Sequence, residues 1–197
     1  GLVFAVLDTG LDTEHRDLRG QIIDAADFTN SLSGPLDGHS HGTWCFSVIL
    51  AAADDFGIRG VAYEAKGVSA KVLGDNGSGT DSTISRGLAW AYSKHNADIF
   101  SLSLGGGRMS ETLHSQFREV SQQKGKFIFC AAGNDAGPVN YPAAWPEVVA
   151  VGACDNTGKL SDFTSRGREL DILGPGEGIL SAVPGNRHAR MDGTSMA

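Results

Sequence analysis

Short apolar runs of strand length recur along this chain, and between them lie stretches with helical periodicity. Residues 2–7, 68–73, 99–104, 127–132 and 148–151 read as buried strands, because near-continuous apolar runs suit strands covered on both faces. Residues 41–53, 82–95 and 110–124 read as helices, the last with Glu111 in its first turn and Gly125 at its end. Such βαβ alternation predicts an α/β fold of three layers: a mostly parallel twisted sheet flanked by helices. The 197 residues suit a single domain over 1–197, since the glycine- and aspartate-rich stretches at 75–81 and 133–140 are short enough to be loops.

Ligands of parallel sheets bind outside the carboxyl ends of the strands, so the residues standing there matter most. One strand runs into Asp8-Thr9-Gly10, another into Gly105-Gly106-Gly107 and a third into Gly133-Asn134-Asp135. A carboxylate, a bare backbone and a side-chain amide therefore share one rim. Charge narrows the choice of ligand: 16 basic against 23 acidic residues give a net charge of -7, with no footprint for nucleic acid or an anionic membrane. No apolar run approaches the roughly 20 residues of a membrane span. Neither partner is expected. Cys45, Cys130 and Cys154 form no CxxC pair and read as isolated or buried thiols.

Nucleophilic catalysis by a hydroxyl needs a base, a group that orients the base, and donors aimed at the developing oxyanion. Ser195 lies in Gly193-Thr194-Ser195-Met196-Ala197, where glycine permits a sharp turn and the serine is expected to open a helix. His41, in Ser40-His41-Gly42-Thr43, stands at another expected helix start, and Asp8 ends the first strand, where it can fix the imidazole tautomer. Asn134, in Ala131-Ala132-Gly133-Asn134, offers an amide to the oxyanion beside the Ser195 N–H.

The motifs Asp-Thr-Gly, His-Gly-Thr, Ser-Leu-Gly, Ala-Ala-Gly-Asn and Gly-Thr-Ser-Met-Ala, in this order, resemble those of the subtilisin-like (subtilase) serine proteases. Tyr141-Pro142-Ala143 and Gly174-Pro175-Gly176 resemble connecting segments of that family. The resemblance implies a serine endopeptidase with Asp8, His41 and Ser195 as triad, Asn134 as oxyanion donor, a polypeptide substrate, and a pro-segment or protein inhibitor as further partner. It also implies a substrate extended between Gly77-Ser78-Gly79 and Ser103-Leu104-Gly105, with Ala131-Ala132-Gly133 as one wall of the primary pocket. Asp135 near that pocket and Asp81 at a more distant subsite imply a preference for basic substrate residues. The chemistry requires no cofactor, but the resemblance implies a structural calcium at Asp17 and Asp54, and a secreted or extracytoplasmic location.

Other signals compete with or depart from this pattern. Cys45 follows His41 by one helical turn, resembles the proteinase K branch of the family, and predicts sensitivity to mercurials. His39 and His41 form a His-x-His pair that a metal-dependent hydrolase would use, without a nearby third ligand. A non-catalytic subtilase-like binding module is a further alternative. A nucleotide-binding module would need a glycine-rich phosphate motif that the chain lacks. Trp44 and Phe46 replace the small residues usual after the histidine, which predicts altered packing and a narrower cleft. His15, His95, His114 and His188 read as surface or cap residues. Only Met196 and Ala197 follow Ser195, too few to nucleate the expected helix, so the expected domain is truncated after the nucleophile and incomplete at its N-terminus as well, and the isolated fragment is expected to be unstable or inactive.

Overall fold

The computed structural model describes residues 1–123 and 125–197. The strands are β1 (Val3–Asp8), β2 (Ile22–Asp27), β3 (Lys66–Lys71), β4 (Ile99–Leu102), β5 (Phe127–Ala131), β6 (Val149–Cys154), β7 (Ile172–Pro175), β8 (Ile179–Val183) and β9 (Arg187–Met191). The helices are α1 (His41–Leu50), α2 (Asp81–Ser93) and α3 (Glu111–Ser121), with a 3-10 turn at Arg16–Leu18. The fold is α/β with a mostly parallel sheet and flanking helices, as the alternation predicts.

The chain divides into two compact units, Gly1–Phe100 with Leu180–Ala189, and Ser101–Ile179 with Arg190–Ala197. In the first unit β3 lies between β2 and β1 and is parallel to both, with Asp8 opposite Lys71. Ala5, Val6, Leu7, Val68 and Ala70 are buried there, together with α1. In the second unit β6 lies between β5 and β7, again parallel, with Phe129 opposite Val149 and Val151 opposite Ile172.

Helix α2 starts at Asp81, one residue before the expected position, because Thr80 and Thr83 form a reciprocal capping box. Ser110 accepts the Leu113 N–H and starts α3. That helix ends at Ser121, and the expected end at Lys124 lies outside the described residues. Helix α1 ends at Leu50 although alanines follow, because the Ala52 N–H leaves the helix to donate to Asp17 O at 2.7 Å. Alanine's helix propensity is outweighed by a tertiary hydrogen bond.

Helix α1 is mostly apolar and mostly buried, with residues 42–47 and Leu50 in the interior. Trp44 and Phe46 are fully buried and line no open cleft, so they do not narrow one as expected. The Trp44 indole N–H donates to Ala189 O at 3.2 Å, and its carbonyl accepts the Ser181 hydroxyl at 2.9 Å, seating α1 on residues 181 and 189. Phe46 reaches β3 at Gly67, where a Cβ would come within 2.8 Å of its ring and 2.4 Å of Leu50. A glycine on the strand thus faces large side chains on the helix.

Candidate active site

In the first unit, β1 delivers Asp8 to its carboxyl end and α1 begins on His41. Two glycines make that meeting close: a Cβ on Gly42 would lie 2.2 Å from Gly10 O, and one on Gly10 would lie 2.7 Å from Pro35 O. The strand end and helix start thus touch backbone to backbone, which explains the glycine in each motif. His41 Nδ1 lies 2.7 Å from Asp8 Oδ1, which also accepts the Thr9 N–H at 2.7 Å. Because an ionised carboxylate only accepts, Nδ1 carries the proton and Nε2 is left as the basic nitrogen.

Asp8 is 1% exposed, and its Oδ2 has no hydrogen-bond partner among the described residues. Burial alone would lower the pKa of His41; the charge and hydrogen bond of Asp8, together with Cys45, outweigh it, and the imidazole is held above its ordinary range. Cys45 Sγ lies 3.8 Å from Nδ1 and 3.9 Å from Nε2, directly beside the ring as the helical spacing predicts. Among the described residues Asp8, His41 and Cys45 are the one group of three whose ligand atoms lie within 4.8 Å of one another. His39, although its ring is 6.3 Å from that of His41, joins no such group.

In the second unit, Asn134 follows β5 and is fixed by Thr194. The Thr194 N–H and hydroxyl both donate to Asn134 Oδ1, at 2.8 and 2.9 Å. This assigns the amide orientation: the oxygen is taken, so Nδ2 is the end presented as a donor, and it lies 3.4 Å from where a Gly193 Cβ would be. Ser195 sits in a turn closed by Met196 N–H to Gly193 O at 3.1 Å, and its carbonyl accepts the Ser103 hydroxyl at 3.3 Å. No helix begins at Ser195 in the described residues, in keeping with the expectation that two following residues cannot nucleate one.

Ser103, Leu104 and Gly105 follow β4, and Ala131, Ala132 and Gly133 end β5, in the same unit. Between these segments lies Asn140, which the motifs did not single out. A Cβ on Gly105 would be 3.3 Å from Asn140 Cβ, and one on Gly133 would be 2.4 Å from Asn140 Nδ2. Its amide donates to Asp135 Oδ2 at 3.1 Å, so one oxygen of the acid at the rim is already engaged. In the first unit, Gly77, Ser78 and Gly79 follow a tight turn at residues 75–76, with Ser78 O accepting the Gly74 N–H at 2.8 Å and Gly79 in an antiparallel bridge with Leu73. Asp81 is the first residue of α2, where a carboxylate complements the helix dipole.

Asp17 is fully buried. Its Oδ2 accepts from His188 Nε2 at 2.7 Å and from the Ile58 N–H at 3.3 Å, and its Oδ1 has no partner among the described residues. Asp54, in the adjoining loop, is exposed and turns to the Phe56 N–H at 3.1 Å. Of the histidines expected as surface or cap residues, His15 is a cap as expected, and all four are partnered. His15 is fully buried and caps the 3-10 turn, and His114 stacks on Trp145 at 4.3 Å and bonds Glu147 at 2.9 Å. His95 packs edge-on to Trp90 at 4.4 Å.

The family model of the subtilases (Peptidase S8) matches residues 1–197. The chain belongs to the subtilase family. The subtilase chain is 40% identical over 204 residues to the major intracellular serine protease of Bacillus subtilis (strain 168), an alignment covering 98% of this chain and 63% of that protein. It is 37% identical over 207 residues to an intracellular serine protease of Paenibacillus polymyxa, covering 100% and 63%. To subtilisin E of Bacillus subtilis it is 38% identical over 199 residues, covering 98% and 51%. The chain thus spans less than two thirds of the length of these relatives. Subtilases need no cofactor for their chemistry. The relatives include proteins named intracellular as well as subtilisins, and no helix among the described residues is long and apolar enough to cross a membrane.

Proposed function

We propose that this chain carries the catalytic residues of a serine endopeptidase within a single subtilisin-like peptidase domain. The observation that carries the reading is the Asp8–His41 pair at 2.7 Å, which leaves Nε2 as base, in a chain whose whole length matches the subtilases. Ser195 supplies the nucleophile. His41 takes the Ser195 hydroxyl proton as the oxygen attacks the scissile carbonyl, and returns it to the leaving amine, giving an acyl-enzyme that water then hydrolyses. Asn134 Nδ2 and the Ser195 N–H stabilise the tetrahedral oxyanion, with Thr194 holding the amide in its donating orientation.

The substrate is a polypeptide. Gly77, Ser78, Gly79, Ser103, Leu104 and Gly105 flank it as an extended strand, and Ala131, Ala132 and Gly133 wall its primary pocket, an assignment supported by Asn140 lying between the last two segments. The same extended binding mode would accept a pro-segment or a protein inhibitor. Secretion remains the family-based proposal, supported by the subtilisin relatives and opposed by the two intracellular names. Detection in culture medium against cell lysate decides it.

Purified protein, tested on a protein substrate, separates these roles. For subtilisin itself, losing the serine costs about a millionfold and losing the oxyanion amide about 100- to 1,000-fold, so Ser195→Ala and Asn134→Ala should differ by that margin. Equal activity in Ser195→Ala and the parent would remove the mechanism.

A structural calcium is part of the same proposal. The Asp17 Oδ1, buried beside the 54–58 loop without a partner among the described residues, suits a hard cation, and Asp54 lies in the loop that would complete the ligand set. A chelator is expected to lower the melting temperature, calcium to restore it, and Asp17→Asn to abolish the response. An unchanged melting curve takes calcium out of the account.

A further inference from the structure

Asp37 lies outside the motifs that mark the site, on the loop before α1, and is 8% exposed. Its carboxylate gathers four donors. Oδ1 accepts the Thr9 hydroxyl at 2.9 Å, the His39 N–H at 3.0 Å and the Ser40 N–H at 2.8 Å, and Oδ2 accepts the Thr43 N–H at 2.8 Å. The Thr9 hydroxyl in turn accepts the Gly42 N–H at 2.8 Å. Each end of this bridge adjoins one member of the Asp8–His41 pair. Thr9 follows Asp8 and donates its own N–H to Asp8 Oδ1, while Ser40 and Gly42 flank His41.

The start of α1 needs such help. The first N–H groups of a helix have no partner within it, and an N-cap side chain normally satisfies one of them. Ser40 stands at the N-cap position with φ 86, in the left-handed region, and makes no side-chain cap. Gly42 and Thr43 give their N–H groups to Thr9 and Asp37 instead. A carboxylate that served only to close its own loop would need the His39 and Ser40 bonds alone. The bonds to Thr9 and Thr43 cross from that loop to the end of β1 and into α1.

We infer that Asp37 is a positioning residue for His41, tying the start of α1 to the end of β1 through Thr9 so that Nδ1 meets the Asp8 carboxylate. Its effect on activity rests on the proposed function, whereas its effect on the Asp8–His41 bond does not. Geometry of this kind is costly to lose, since a shift of about 1 Å at a reacting group costs on the order of 100-fold in rate.

The test uses nuclear magnetic resonance of the His41 Nδ1–H proton, together with the rate of fluorophosphonate labelling and the steady-state constants of peptide hydrolysis. In folded Asp37→Ala and Thr9→Val proteins, the downfield Nδ1–H resonance should move or be lost to exchange. Labelling should slow by about 10- to 100-fold, with kcat falling and KM held. Asp37→Asn keeps one carbonyl acceptor and should fall less. If Asp37→Ala does not fold, Thr9→Val decides, because it deletes only the bridging hydroxyl. An unchanged resonance in either folded variant overturns the proposal. A parent protein that shows the resonance but no labelling would fail the peptidase reading, and the resonance would still report on Asp37.

Discussion

Asp8 sets both the direction and the affinity of the His41 imidazole. A negative charge 2.7 Å from Nδ1 favours the imidazolium, so the neutral imidazole that the proposed mechanism uses as base becomes populated only at higher pH. Asp8→Asn removes that charge. The acid limb of the pH–rate profile should therefore move to lower pH, while the plateau should fall by about 10⁴-fold because the tautomer and orientation are lost. A lower plateau with an unmoved acid limb would mean that the carboxylate acts by orientation alone. Cys45 adds to the same local electrostatics from the side of the ring, and is itself fully buried. Cys130 differs, since burial pushes its thiol well above the usual range and leaves it inert.

Between elements, the decisive contact is between α1 and β3. A helix carrying Trp44 and Phe46 soon after His41 is seated because Gly67 leaves room on the strand and residues 181 and 189 hold the tryptophan. Gly67→Ala places a methyl group into Phe46 and Leu50, and the overpacking should destabilise the protein by about 1–3 kcal/mol, read as a lower midpoint in urea denaturation. No change in midpoint would mean that α1 shifts freely. The strands with unbroken apolar runs were legible in the sequence because burial on both faces leaves that mark. Strand β2, with acids at Asp24 and Asp27, and the short β7, β8 and β9 were not, because partly exposed strands carry no such run. Asp8, His41, Asn134 and Ser195 were legible through the turn and glycine chemistry around them. Asp37, Thr194 and Asn140 were not, since each acts through hydrogen bonds or close packing that only the folded backbone brings together.

At the scale of the molecule, each compact unit holds one half of the proposed chemistry: the first has the acid–base pair, the second the hydroxyl and the oxyanion amide. The subtilase match runs over both, and the relatives extend over a greater length than this chain. The account therefore stands or falls on whether Ser195 is a nucleophile. A fluorophosphonate probe reacts with a serine only when a base activates it, so labelling followed by peptide mapping tests this directly. The probe is best applied to residues 1–197 and to a chain continued to the length of its relatives. The account predicts a single phosphonylated residue, Ser195, whose labelling disappears in His41→Ala. Folded protein that stays unlabelled at Ser195 in both forms would contradict it, and would favour a subtilase that binds polypeptide without cleaving it.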